Sequence, residues 1–323
     1  TGGTLTATNA SGCMYVRFYS SANQGQTDVG SGWAAQVGCV SCPSPAGLAA
    51  NNPSQSSVDL QWQSIPNVSF YHWEIGQAGF APGTGAAVAS GDLNTNQLHV
   101  SGLQSGTAYE VYVQANCGTN DASVFSAPIA FSTVPACGDT LVVAGGDSSE
   151  VGVLYQIICP ETPGTYVQLD FSEFELAACC SYLEIWDGDN FWFPLIGSFT
   201  GTNSPGVVSA TNSTGCLSIH FQANGGDDWG GFQAAVECVT CPIPTGLQPF
   251  NIKSNSVELT WNSLANAGFY TWEVGLAGFT PGTGEAVASG DLSNTNVLVT
   301  GLESGTAYEV YLRANCGGSD FSA

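Results

Sequence analysis

Apolar and polar residues alternate along most of this chain in short runs that turn residues separate. In SVDLQW (57–62) and YEVYVQA (109–115) every second residue is apolar, and PGTG (82–85) interrupts the pattern between them. A period of two is typical of half-buried β-strands, and Gly and Pro are favoured in turns. The pattern predicts an all-β fold made of tandem β-sandwiches.

A long internal repeat organises these runs. With a shift of 199 positions (242 − 43), residues 43–118 align without a gap to residues 242–317, with about 45 identities in 76. The phrase FAPGTGAAVASGDL at 80–93 returns as FTPGTGEAVASGDL at 279–292. No Lys follows its two glycines, as a phosphate-binding loop would require, so we interpret the phrase as a scaffold turn.

The charge of the chain excludes several classes of partner. Three basic residues (Arg17, Lys253 and Arg313) stand against 26 acidic ones, and the formal net charge is -23. Nucleic-acid binding requires a basic surface, so we expect no nucleic-acid partner. No apolar run approaches the roughly 20 residues that span a bilayer, so we also expect no membrane insertion. The sequence has no starting Met and no signal peptide, and we expect a mature or excised segment.

The twelve cysteines follow the repeat. Cys13 and Cys39 correspond in position to Cys216 and Cys238, and Cys42 and Cys117 correspond to Cys241 and Cys316. The two C-x-x-C spacings suit zinc, but each straddles an expected domain boundary and no second ligand pair follows. Disulfides are therefore favoured, and they predict an oxidising compartment, extracellular or at the cell surface.

Residues 43–134 and 242–323 resemble fibronectin type III domains. The resemblance is carried by the early Trp62 and Trp261 and by SGTAYEVYVQANCG, whose tyrosine (Tyr109, with Tyr308 in the other copy) would form a tyrosine corner. The residue pattern of both copies is similar to the form of this domain found in secreted and surface proteins of the Bacteroidota phylum. This resemblance implies one bridge per copy, Cys42–Cys117 and Cys241–Cys316.

The segment between these copies, 137–238, resembles a CUB domain of the bacterial type. The YLEIWDG hairpin and the C…GGF…C ending carry the resemblance, and residues 1–39 repeat its second half. The expected domains are a C-terminal half of a CUB-like domain (1–40), a fibronectin type III domain (41–134), a CUB-like domain (135–239) and a fibronectin type III domain without its last strand (240–323). We expect a window on a longer repeating chain.

Several pairings within the CUB-like segments stay open. With Cys13–Cys39 and Cys216–Cys238 paired, Cys137–Cys159 is the expected third pair. The adjacent Cys179 and Cys180 then form a vicinal bridge, or Cys180 joins Cys159 and Cys137 pairs elsewhere.

No catalytic set is recognisable, and we expect no enzyme. A catalytic base should recur in every active copy, but each histidine is replaced in the corresponding copy: His72 by Thr271, His99 by Leu298 and His220 by Arg17. We interpret the histidines as partly exposed strand residues.

Calcium is the one cofactor that the carboxylates suggest. Asp187, Asp189, Asp227 and Asp228 cluster without basic neighbours, and calcium prefers such oxygen ligands. The positions that hold calcium in many animal CUB domains are here Ala177, Ser181 and Asn224, so the resemblance does not imply that site. The alternative is a solvated acidic loop.

The sequence also offers candidate positions for covalent glycosylation and for carbohydrate binding. Asp139-Thr140-Leu141 fits a bacterial O-glycosylation pattern at Thr140, and N-x-[ST] occurs at Asn9, Asn67 and Asn212. Carbohydrate is a candidate ligand for exposed aromatic residues beside carboxylates, and the alternative is that half of them are core. These candidates are Trp186, Phe191, Trp192 and Trp229.

The leading hypothesis is a non-enzymatic extracellular structural or adhesive array that forms a stalk or filament on the cell surface and carries glycans. Its partners would be further copies of the same repeat in one longer chain or filament. The alternative is an accessory region, binding substrate or glycan, of a secreted protease or polysaccharide hydrolase.

Overall fold

The computed structural model describes residues 7, 12–17, 34–35, 37–146, 151–224 and 229–322, without the side chains of Val151 and Trp229. Within these ranges every regular element is a β-strand, and none is a helix. The predicted all-β fold is confirmed. The chain divides into two compact units, residues 1–133 and 134–323. Most of the expected domain at 1–40 lies outside the described residues.

The first sandwich lies within residues 43–133 and pairs a three-stranded with a five-stranded sheet. The sheet orders are β1-β2-β5 and β4-β3-β6-β7, with β8 also paired to β6. Its strands are β1 Ala49–Asn51, β2 Ser57–Gln61, β3 Phe70–Gln77, β4 Ala89–Leu93, β5 Gln97–Ser101, β6 Ala108–Gly118, β7 Asp121–Ala122 and β8 Ile129–Ser132.

Two aromatic contacts close the core of the first sandwich. Trp62 is buried and meets Tyr71 of β3 edge to face, with ring centroids 5.4 Å apart. The hydroxyl of Tyr109 accepts a hydrogen bond of 2.9 Å from the amide of Gln104, as a tyrosine corner does. Burial of rings of this size contributes a large share of core stability.

The third sandwich, within residues 242–322, repeats this architecture. The sheet orders are β17-β18-β21 and β20-β19-β22-β23. Trp261 meets Tyr270 with centroids 5.6 Å apart, and the Tyr308 hydroxyl accepts from the Glu303 amide at 2.9 Å. Its strands are β17 Gln248–Phe250, β18 Ser256–Thr260, β19 Phe269–Leu276, β20 Ala288–Leu292, β21 Asn296–Thr300, β22 Tyr308–Gly317 and β23 Asp320–Phe321.

The middle sandwich, within residues 137–239, packs two four-stranded antiparallel sheets face to face. We call them the β15 sheet, with order β10-β15-β12-β13, and the β16 sheet, with order β14-β11-β16-β9. The strands are β9 Thr140–Gly146, β10 Val151–Ile158, β11 Tyr166–Glu175, β12 Ser181–Trp186, β13 Leu195–Phe199, β14 Val207–Ser209, β15 Leu217–Asn224 and β16 Trp229–Val239. Leu183, Ile219 and Phe221 from the first sheet share one core with Leu169 and Phe232 from the second.

The first and third sandwiches each carry one disulfide. Cys42 pairs with Cys117 and Cys241 pairs with Cys316, each across a sequence separation of 75 residues. These are the two pairs that the resemblance implied. A native bridge of this kind contributes roughly 2–4 kcal/mol, mainly by restricting the unfolded chain.

The bridges of the middle sandwich differ from the expected ones. Cys137 pairs with Cys238 and Cys159 pairs with Cys216. The expected pairs Cys137–Cys159 and Cys216–Cys238 are therefore wrong, and so is the alternative that joined Cys180 to Cys159.

Strand pairing explains this correction. The antiparallel pair β9–β16 brings Cys137, just before β9, beside the end of β16, because Thr140 lies opposite Ala235. The antiparallel pair β10–β15 places Ile158 opposite Leu217, and one residue beyond each lie the bridged cysteines. Each bridge thus joins the ends of two neighbouring strands.

The remaining cysteines settle the open pairing of Cys179 and Cys180 and show that one expected pair is wrong. Cys179 and Cys180 form the vicinal bridge. Cys39 is exposed and forms no disulfide with any residue that the structure describes, so the expected Cys13–Cys39 pair is not formed.

Candidate functional site

The outward face of the β15 sheet carries aromatic side chains where solvent-facing strands usually carry polar ones. Along β12, Leu183 and Ile185 are buried in the core, so Tyr182, Glu184 and Trp186 lie on the opposite face. Successive side chains of a strand point to opposite faces, which places these three side by side.

Strand register brings a histidine between a tyrosine and a carboxylate. His220 of β15 lies opposite Tyr155 of β10 on one side and Glu184 of β12 on the other. The Tyr155 and His220 rings stack with centroids 4.3 Å apart and planes 8° from parallel. Nδ1 of His220 lies 3.3 Å from Oε2 of Glu184. The side chain of His220 is 12% exposed, because its two neighbours cover it.

The loop after β12 extends this surface. Phe191 meets Trp186 edge to face at 5.0 Å and Tyr155 at 5.6 Å between ring centroids. The rings of Tyr182 and His220 meet edge to face, with centroids 5.4 Å apart. We call Tyr155, Tyr182, Trp186, Phe191 and His220 the aromatic face.

Two aromatic side chains at this surface are largely open to solvent. Trp192, the residue after Phe191, is 96% exposed, and Tyr155 is 61% exposed. The Trp192 amide donates to Oδ1 of Asn190 at 2.9 Å, which fixes the backbone that presents the indole. Clustered exposed apolar surface on a soluble domain marks an interaction site more often than a single exposed residue does.

Burial shifts the pKa of one phenol on this surface. Burial raises the pKa of Tyr182, and the nearby Glu184 and Tyr155 raise it further. The phenol donates a hydrogen bond to Oε1 of Gln222 at 2.8 Å. Nε2 of His220 is buried and has no hydrogen-bond partner among the described residues.

The carboxylate of Asp187, one of the calcium candidates, fastens the loop before β15. Its carboxylate accepts from the amide of Thr211 at 2.8 Å and from the amide and side-chain nitrogens of Asn212 at 3.2 and 2.6 Å, with the Thr211 hydroxyl as a further donor. Both oxygens are thereby engaged in holding the loop before β15.

Of the three other calcium candidates, Asp189 alone lies within the described residues. Oδ1 of Asp189 accepts from the Asn190 side chain at 3.0 Å. Asp227 and Asp228 lie outside the described residues. Within the described ranges, no three His, Cys, Asp or Glu side chains converge as a metal site requires.

The glycosylation candidates differ in accessibility. Asn67 is exposed in a turn at φ 62°, and Thr140 is exposed at the start of the edge strand β9. The side-chain nitrogen of Asn212, in contrast, donates to Asp187 and to the Cys216 carbonyl. Asn9 lies outside the described residues.

The two other histidines pair with carboxylates across neighbouring strands. His72 Nδ1 lies 2.6 Å from Asp92 Oδ1, and Nε2 lies 3.2 Å from Glu74 Oε1. Desolvation by burial alone would lower the pKa of His72, but the hydrogen bonds to Asp92 and Glu74 outweigh it and the pKa is raised.

At the other pair, His99 Nδ1 lies 2.7 Å from Asp59 Oδ1, and the hydrogen bond from His99 lowers the pKa of Asp59. The hydrogen bonds of these histidines to described residues run to carboxylates, as they do for His220, whereas a hydrolytic triad needs a hydroxyl or thiol beside the imidazole.

The structure joins two of the predicted ligand residues and adds three. Trp186 and Phe191 contact each other, and Trp192 follows in the same loop. Trp229 begins β16 in the opposite sheet, and its side chain lies outside the description. Sequence reasoning missed Tyr155, Tyr182 and His220. Their signal was present, because each occupies the outward position of an alternating strand that usually holds a small polar residue.

Two known domain families match the chain. The fibronectin type III domain family matches residues 43–132, and the CUB domain family matches residues 151–236. Tolloid-like protein 2 of Mus musculus is 37% identical over 83 residues, which are 24% of this chain and 8% of that protein. The chain thus spans less than a tenth of the length of this relative. No helix in the described part of the chain is long and apolar enough to cross a membrane.

Matches among solved structures include two fibronectin type III proteins. A two-domain fibronectin type III segment from chicken tenascin is 11% identical, with 86% of this chain and 94% of that chain covered and a TM-score of 0.24. The fibronectin type III domain of human collagen alpha-1(XX) chain is 24% identical, with 34% and 97% covered and a TM-score of 0.26. On the two family matches, the chain contains a fibronectin type III domain at residues 43–132 followed in tandem by a CUB domain at residues 151–236.

Proposed function

We propose that this chain is a non-enzymatic, extracellular structural or adhesive region in which CUB and fibronectin type III domains alternate. The third sandwich is, in this proposal, a second fibronectin type III domain. Domains of both families are typically extracellular adhesive or structural modules, and the five disulfides among the described residues suit an oxidising environment.

The observation that carries the proposal is repetition at the level of single hydrogen bonds. The Gly83 amide donates to Glu74 at 2.9 Å, and the Gly282 amide donates to Glu273 at 2.8 Å. A hydroxyl just before each sandwich reaches an aspartate of its last hairpin, from Ser41 to Asp121 at 2.9 Å and from Thr240 to Asp320 at 2.7 Å. A chain that copies a domain this closely gains length from one stable unit, which suits a stalk or filament.

The cysteine correspondence supports further copies of the repeat in a longer chain. Cys39 corresponds to Cys238, whose partner Cys137 lies 101 residues earlier. By the same geometry, the partner of Cys39 belongs to a CUB segment that precedes it. In this proposal the array lies on a cell surface, with Thr140 and Asn67 as exposed positions for glycans.

Electron microscopy of the native material tests this proposal. We expect continuous threads with a regular period of one CUB and one fibronectin type III domain, with additional density at Thr140 or Asn67. Discrete particles that end in a third, unrelated domain would overturn it.

The aromatic face favours one second candidate, an accessory region that holds a polymeric substrate for a catalytic domain elsewhere in a secreted protease or polysaccharide hydrolase. Mass spectrometry of the full-length native protein separates the two. Additional CUB and fibronectin type III copies on both sides support the array, whereas a flanking domain with a catalytic set supports the accessory role.

A further inference from the structure

We infer that the aromatic face, together with Trp192 and Glu184, binds a neutral polysaccharide. This inference rests on the proposed extracellular, adhesive function and names the ligand class that its CUB domain recognises. The binding surface lies on the β15 sheet and on the loop that follows β12.

The exposed rings supply the apolar half of the site. Tyr155 and Trp192 present large apolar surface to water, at 61% and 96% exposure. Phe191 packs against Tyr155 and Trp186, so these three rings are held by one another and lose little conformational freedom on binding. A pyranose ring has a flat face of C–H groups that covers such rings, and removal of that surface from water contributes roughly 25 cal/mol per Å².

The polar groups between the rings suit a hydroxyl-rich ligand. Oε2 of Glu184 faces His220, and Oε1 accepts no hydrogen bond from any residue that the structure describes. An ionised carboxylate oxygen accepts strongly from a hydroxyl, and hydrogen bonds of this kind give direction to a contact that stacking leaves loose. The Tyr182 hydroxyl, which donates to Gln222, retains lone pairs that accept from a second hydroxyl.

The charge pattern selects a neutral ligand. All three basic residues of the chain lie outside residues 151–236, so the CUB domain has no Lys or Arg to balance a sulfate, phosphate or uronate. The formal charge of -23 also disfavours association with a second copy of this chain. A cationic partner would require several open carboxylates, whereas this surface offers Glu184 on the sheet and Asp189 in the loop.

Affinity electrophoresis of the 323-residue chain tests the inference. Gels contain a neutral β-1,3-glucan, xylan, mannan or dextran, with hyaluronate and polylysine as acidic and cationic probes. We expect retardation by at least one neutral polymer and none by hyaluronate. Trp192→Ala and Tyr155→Ala should each weaken that binding at least tenfold, and Glu184→Gln should weaken it without removing a ring.

Phe250→Ala provides the matched control, because it removes an exposed aromatic side chain from β17 in the third sandwich. It should leave binding unchanged. Near-ultraviolet circular dichroism verifies that each variant is folded. Two results overturn the inference: no retardation by any neutral polymer, whether or not polylysine retards the chain, or retardation by a neutral polymer that Trp192→Ala and Tyr155→Ala leave unchanged. Either result leaves the array proposal standing, because that proposal depends on microscopy of the native material.

Discussion

The amide of Gly83 donates a hydrogen bond of 2.9 Å to Oε2 of Glu74, which ties the PGTG turn to β3. Gly83 adopts φ 77°, a conformation that glycine reaches without steric cost. Glu74 is buried, and its other oxygen faces His72 at 3.2 Å. The phrase that recurs in the sequence is therefore a turn held by a carboxylate nine residues before it.

Replacement of Glu74 by Ala should loosen this turn. The change removes a hydrogen bond from the Gly83 amide to a charged acceptor and should lower the free energy of unfolding by about 1–3 kcal/mol. Hydrogen exchange at the Gly83 amide reports the effect locally. Glu273→Ala is the matched variant, and because Glu273 is less buried its effect should be smaller. If exchange accelerates equally at the Gly83 amide in Glu74→Ala and at the Gly282 amide in Glu273→Ala, the role of burial is contradicted.

The stability of the fibronectin type III domain at residues 43–132 should depend on pH through His72. The hydrogen bonds to Asp92 and Glu74 raise the pKa of His72 above its ordinary 6.5 despite desolvation. The folded state thus holds the proton more tightly than the unfolded chain. The contribution is complete below the unfolded pKa and is lost as pH rises through the raised folded pKa.

His72→Thr should remove this pH dependence. The third sandwich already has Thr271 at the corresponding position, where its hydroxyl donates to Asp291 at 2.6 Å. Exchange of the Gly83 amide, followed from pH 5 to pH 9, should accelerate with rising pH in the unchanged protein after correction for intrinsic exchange, and should stay level in the variant. A level profile in both would show that His72 does not contribute.

Local patterns predicted the sandwiches well because their cores are built from short-range signals. Trp62 and Tyr109 are recognisable from the residues around them, and the structure buries both. The disulfide partners of the CUB domain were predicted wrongly because they depend on which strands become neighbours. Cys159 finds Cys216 only because β10 lies beside β15, and the two cysteines are 57 residues apart in sequence.

The GGF phrase of the CUB domain predicts a sharp effect of one methyl group. Gly231 adopts φ 87°, and a Cβ there would lie 2.1 Å from the Val143 carbonyl oxygen. Gly231→Ala should therefore destabilise the domain by more than the roughly 1–2 kcal/mol that a left-handed conformation costs an L-residue. Gly206→Ala is the control, with φ 67° and no atom within 4 Å of the added Cβ. Thermal unfolding of both variants measures the difference, and equal losses would contradict the clash.

The aromatic face was harder to predict than the fold because, like the bridges, it depends on which strands become neighbours. Tyr155 and His220 stack across β10 and β15, and no spacing in the sequence indicates that those strands pair. Phe191 and Trp192 were recognisable, because they follow the WDGDN turn as adjacent aromatics in a polar loop. Local exposure was therefore predictable, whereas the composition of the surface required the register.

Peptide mapping under non-reducing conditions should recover the two long-range bridges of the CUB domain. We expect a Cys137–Cys238 peptide and a Cys159–Cys216 peptide, since each pair joins the ends of adjacent strands. Joint replacement of Cys159 and Cys216 by Ser should lower the unfolding temperature, in line with the roughly 2–5 kcal/mol lost when a small secreted domain loses a bridge. A recovered Cys137–Cys159 peptide would contradict the strand order of the β15 sheet.

Secretion from a host that performs N-glycosylation should distinguish the sequons at Asn67 and Asn212. Asn67 lies exposed in a turn, so its amide is open to a transferase. The Asn212 amide donates to Asp187 at 2.6 Å and to the Cys216 carbonyl at 2.8 Å, and a glycan there would break both bonds. Mass spectrometry should find a glycan at Asn67 and none at Asn212. Asp187→Ala removes one of the two acceptors and should raise occupancy at Asn212, whereas full occupancy in the unchanged protein would show that the loop is modified before Asp187 closes it.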